Sequence, residues 1–176
     1  MILGIDATNI KSEGGIVHLF EILNNSNYRK LNIKKIFVWG NTKLLSKINN
    51  NKVIRKINVN YLTNNLLKRT LWQKFILPKE LKNNNCNFLF VPGGILLSNS
   101  FKSVLVFQNI LPFIDNEVSR YNIFARIKFF IQKIMYLQSF KNTQGIIFLS
   151  NFSKKIINKN QLLKHKKNIL IPHGIS

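Results

Sequence analysis

At 176 residues, with 45% hydrophobic content and a mean hydropathy near zero, the chain can bury one ordinary core, and these proportions exclude a disordered segment. Its 27 Lys+Arg against 6 Asp+Glu give a net charge of +21, a field that attracts phosphates, nucleic acid or an anionic membrane; yet only five cations are Arg, so nucleic acid is not an expected partner. The single Cys86 excludes an internal disulfide and a Cys-based metal site, and no apolar run reaches the roughly 20 residues that span a bilayer.

Residues 2–5 form a first apolar run, expected as a buried strand, followed by a polar, glycine-bearing loop over 7–15. Ile16, Leu19, Phe20 and Leu23 then recur at helical spacing as far as the turn cluster at 24–27. A second strand is expected over 35–39 and a short helix over 42–48. Over 53–59 apolar and polar residues alternate as in a half-buried strand. The spacing predicts a helix over 66–81, broken or kinked at Pro78 because proline removes a backbone donor. Two fully apolar strands are expected over 88–91 and 104–107, and the longest helical pattern over 117–142.

Within that pattern Phe124, Ile127, Phe130, Ile131, Ile134 and Leu137 form a wide apolar face, with Arg126, Lys128 and Lys133 elsewhere. This face is expected to pack on the sheet as core, with the cations dispersed. The competing reading is a basic amphipathic helix lying on anionic lipid. A strand over 145–149, a helix over 152–163 and a strand over 168–171 complete the chain.

Continuous apolar strands alternating with amphipathic helices indicate an α/β, Rossmann-like, mainly parallel sheet of about six or seven strands with helices on both faces. One domain over 1–176 is expected, without internal repeats. In such sheets ligands bind at the carboxyl ends of the strands, so the loops that follow strands are the places for a site. The start lacks a basic signal region, which predicts a cytoplasmic protein, peripheral at the inner membrane face at most.

Gly14 and Gly15, between the first strand and first helix, are candidates for close backbone approach to an anion, although a plain turn explains them as well. They belong to neither a dinucleotide fingerprint nor a Walker loop. His18 reads as a packing histidine, and His18, His165 and His173 have no metal-ligand spacing. Ser150 and Ser153 read as caps of the helix that follows. Glu117 and Arg120, three apart, read as a surface pair with a second reading as crevice contacts.

Several of these pieces stand in a familiar order. Asp6-Ala7 with Asn9-Ile10, then Gly14-Gly15 and His18-Leu19, come first. Trp72, Leu77-Pro78 and Pro92-Gly93-Gly94 follow. Next are Gln108-Asn109-Ile110-Leu111-Pro112-Phe113 with Glu117, Arg120 and Tyr121, then 145–153, and Ile171-Pro172-His173-Gly174 last. In this order the chain resembles the amino-terminal, acceptor-side half of family 4 glycosyltransferases of GT-B fold, over essentially its whole length.

The resemblance implies transfer of a hexosyl group from a nucleotide-diphosphate sugar to a polysaccharide or lipid-linked acceptor, without a bound cofactor or metal. It implies Gly14 and Gly15 at the donor phosphates, Gln108 and Asn109 at the reacting sugar, and Glu117 and Arg120 as further substrate contacts. Many members carry His-Asp where this chain has Gln108-Asn109; amides position hydroxyls but cannot titrate near neutral pH. The family's Ile-Pro-x-Gly segment leads into a donor-binding second domain, and with Ser176 last that domain is expected to be absent or supplied by a separate chain. The rival expectation is a non-catalytic basic module that binds membrane lipid, RNA or a partner chain.

Overall fold

The computed structural model describes residues 1–158 and 167–172. Its strands are β1 (Ile2–Asp6), β2 (Lys35–Gly40), β3 (Ile54–Asn58), β4 (Phe88–Val91), β5 (Ser103–Phe107), β6 (Gly145–Phe148) and β7 (Lys167–Leu170). They form one 7-stranded sheet in the order β3-β2-β1-β4-β5-β6-β7, with every pairing parallel. The expected Rossmann-like α/β sheet is therefore present, and it is wholly parallel. The chain steps outward from β1 to β3 on one side and from β4 to β7 on the other. The reversal between β1 and β4 makes their following loops diverge, which opens a crevice at that point.

Side-chain alternation along β2 shows how both faces are covered. Ile36 and Val38 enter one core with Ile16, Leu19 and Leu23 of α1 (Glu13–Asn25) and Leu44 of α2 (Thr42–Lys47). Phe37 and Trp39 enter the opposite core, with residues of every later crossover. That side begins with α3 (Leu66–Leu71), which passes through a π turn (Trp72–Ile76) into α4 (Leu77–Asn83).

The expected break at Pro78 is thus a widened turn within a continuing helix. Proline has no N–H, and just before it the Leu77 N–H reaches back five residues to the Trp72 carbonyl.

A short α5 (Asp115–Val118) precedes α6 (Ile123–Asn142), and α7 (Asn151–Asn158) follows β6. The single helical pattern read over 117–142 is therefore two helices, because Asn122 caps α6 by accepting from the Ala125 N–H at 2.9 Å. Phe107, Phe113, Tyr136, Phe140 and Phe148 build an aromatic cluster between the sheet and the second half of α6. The last part of the helix expected over 152–163, together with His165 and His173, lies outside the described residues.

Candidate functional site

A cleft of about 620 Å³ opens at the carboxyl ends of the strands, at the reversal between β1 and β4. Residues 9–12 after β1, Gly93 and Ile95 after β4, and Gln108 and Asn109 after β5 line it, faced by Asn64, Leu66 and Arg69 and by one side of α6. The β1 and β4 loops touch: a Cβ on Gly93 would lie 2.5 Å from the Asn9 Cβ. Asn9 and Gln73 both donate to the Ile95 carbonyl, at 3.4 and 3.2 Å. On the far side the Leu96 N–H donates to Ser139 Oγ at 2.8 Å and Asn142 to the Leu96 carbonyl at 3.1 Å, which ties this loop to α6.

The glycines expected in a loop are helical. Gly14 and Gly15 fall in the first turn of α1, where Ser12 caps the helix by accepting from the Gly15 N–H at 3.3 Å. Gly15 nonetheless approaches the other expected pair, since a Cβ there would stand 3.9 Å from Gln108 Oε1. Gln108 is exposed in the cleft. Asn109 is half-buried, and its Oδ1 accepts from the Leu111 N–H at 3.2 Å, so part of its capacity holds the turn over Leu111–Phe113. Glu117 and Arg120 pair with each other at 3.2 Å and are not among the cleft-lining residues. Ser150 accepts from the Ser153 N–H at 3.1 Å as the cap of α7, also away from the lining.

Beneath the cleft lies a buried polar group that sequence reasoning missed. Asp6, fully buried at the end of β1, accepts from the Thr8 N–H (3.0 Å), Thr8 Oγ1 (2.6 Å) and Gln73 Nε2 (2.6 Å). Burial raises its carboxyl pKa above the ordinary value, against the lowering pull of these donors and of Arg69. Arg69 itself is 8% exposed, and its Nη1 is buried without a hydrogen-bond partner. At the mouth, burial first, then the like charges of Arg69 and Lys128, lower the Lys11 ammonium pKa. An acidic residue ending an apolar strand was the available signal for Asp6. Gln73 gave none, because only the π turn brings it there.

No family model matches this chain, and no curated protein matches it either. Among the described residues no group of His, Cys, Asp and Glu is arranged to hold a metal ion, and no helix is long and apolar enough to cross a membrane.

The rims of the cleft reverse one expectation. Phe124, Ile127, Phe130, Ile131 and Ile134, read as the core face of α6, are exposed, and Leu137 alone of that set is partly buried. The helix packs inward through Tyr136, Ser139 and Phe140 instead. Apolar side chains run along two sides of α6, so periodicity could not choose between them. The aromatic cluster around Phe107 makes the choice. Across the cleft Leu66 is exposed, and Leu67, Leu71, Phe75 and Ile76 are exposed on the same segment.

Proposed function

We propose that this chain is the acceptor-side domain of a glycosyltransferase of GT-B architecture, which takes a sugar from a nucleotide-diphosphate donor held by a second domain. The observation that carries the reading is the approach of Gln108 to Gly15 in an open cleft at the sheet's reversal point, where α/β sheets bind ligands. Gln108 offers both a donor and an acceptor to sugar hydroxyls; Asn109 offers what its turn leaves free. Neither amide titrates, so the role assigned to them is orientation of the reacting sugar, not proton transfer. The buried Asp6 system supports this by fixing the β1 and β4 loops that frame the cleft.

The test is a titration of the ¹⁵N-labelled chain with UDP-glucose, UDP-N-acetylglucosamine and GDP-mannose. Affinity from this half alone is expected near the millimolar level, about −4 kcal/mol, with amide shifts at Gly14, Gly15, Gln108 and Asn109. Gln108→Ala should weaken the response to at least one sugar nucleotide. Shifts confined to other parts of the chain, or none with any of the three, would overturn the reading.

A further inference from the structure

Two segments far apart in sequence bring exposed apolar side chains to the same cleft. Leu66 on α3 faces Phe124 and Ile127 on α6 across the opening, and Leu67, Phe75 and Phe130 are exposed on the same two segments. Leu67 is 75% exposed and Phe124 80%. Apolar surface gathered at a polar cleft marks an interaction surface rather than stray exposure.

Charge selects the partner. Neither 61–76 nor 123–142 contains an Asp or Glu, whereas Lys68, Arg69, Lys74, Arg126 and Lys128 lie within them. Lys133 is the exception in kind, since Asp115 pairs with it at 3.1 Å. Lys11 and Lys128 are exposed in the cleft lining, and Lys11 feels Lys128 and the buried Arg69 as like charges. An anionic bilayer answers each feature together: phosphates for the cations, and an apolar layer directly beneath for the rims.

We propose that this cleft-bearing face docks on an anionic phospholipid bilayer, with the rims of α3 and α6 entering the interface and Lys11 and Lys128, both exposed, meeting headgroup phosphates. This inference is independent of sugar transfer: lipid binding can hold while the sugar-nucleotide titration fails, and the reverse.

The full chain is sedimented with vesicles of phosphatidylcholine alone and of phosphatidylcholine mixed with phosphatidylglycerol. It should bind the mixed vesicles and leave the neutral ones. Leu67→Ser and Phe124→Ser change no charge and remove exposed side chains, so folding should persist; each should weaken partition about tenfold. Leu31→Ser, exposed just ahead of β2 and so toward the amino ends of the strands, away from the cleft, should leave it unchanged. A second measurement needs no variant: bicelles carrying spin-labelled lipid should broaden the amides of 66–76 and 123–131 and spare residue 31. Equal binding by all variants would reduce the effect to overall charge and overturn the proposal. So would self-association of the parent that Phe124→Ser abolishes, which would make the face an interface between copies.

Discussion

Gly93 and Asn9 meet where the two diverging loops of the crevice come together, and the space between them leaves no room for a side chain. An added Cβ at Gly93 would fall 2.5 Å from the Asn9 Cβ and 3.3 Å from its Cα, so relief requires the backbone after β1 to move. Gly93→Ala is therefore expected to destabilise by about 1–3 kcal/mol, read as a lower urea midpoint at unchanged slope. Gly14 is the opposite case: it sits in the first turn of α1 with nothing within 4 Å of an added Cβ. Gly14→Ala should gain about 0.5–1 kcal/mol from helix propensity and lost chain entropy. The reverse order of the two effects would mean that the β1 and β4 loops do not close on each other. From the sequence, Pro92-Gly93-Gly94 is legible as a turn after a strand, and Gly14-Gly15 as a flexible pair. Which glycine is needed for contact is not legible, since the contact crosses more than 80 residues of chain.

The helix from α3 to α4 shows the same limit one level up. Its apolar spacing and Pro78 are readable, and a disturbance at Pro78 follows from the missing donor. That the disturbance is a π turn, aiming Gln73 at Asp6, depends on what the turn packs against. Gln73→Leu tests its use. The carboxylate loses a donor at 2.6 Å, which costs about 1–3 kcal/mol for a buried acceptor. The sign of the pH dependence follows from the direction of the Asp6 shift. Its folded pKa is raised, so its contribution is present below the unfolded value and is lost as pH rises through the folded one. Removing a donor that lowers the folded pKa raises it further and widens that loss. The gap in stability between Gln73→Leu and the parent should thus grow from acid to neutral pH in urea denaturation. A gap independent of pH would mean that Gln73 only fills space. For α6 the pattern was readable and the facing was not, because Phe and Ile flank the helix on both sides and the Phe107 cluster takes only one of them.

At the scale of the whole molecule the parallel sheet was legible because most crossovers return a strand after a helix, the connection from β4 to β5 being the exception. That a site would lie in the loops after the strands was legible, but which of those loops part to form the crevice was not, because that depends on sheet order. The distribution of charge was not, since sequence neighbours say little about which cations share a face. Of the 6 acidic residues, Asp6 is buried, and among the described residues Glu13, Asp115 and Glu117 form surface ion pairs, with Lys43 and Lys47, Lys133, and Arg120 respectively. With 27 Lys+Arg against 6 Asp+Glu, cations far outnumber the acids that could pair with them. Two effects of salt then oppose each other. Screening weakens the few exposed pairs, which contribute little in any case, and it weakens the repulsion that the excess of positive charge creates. Repulsion involves far more charges and should win. The thermal midpoint should rise with sodium chloride and level off once the Debye length falls to about 10 Å, near 0.1 M. For a chain of this length each kcal/mol of relieved repulsion is worth about 2–4 °C. Calorimetry over a chloride series reads the sign directly, and a midpoint that is flat or falls with salt would show that the ion pairs of Glu13, Asp115 and Glu117 outweigh the net charge.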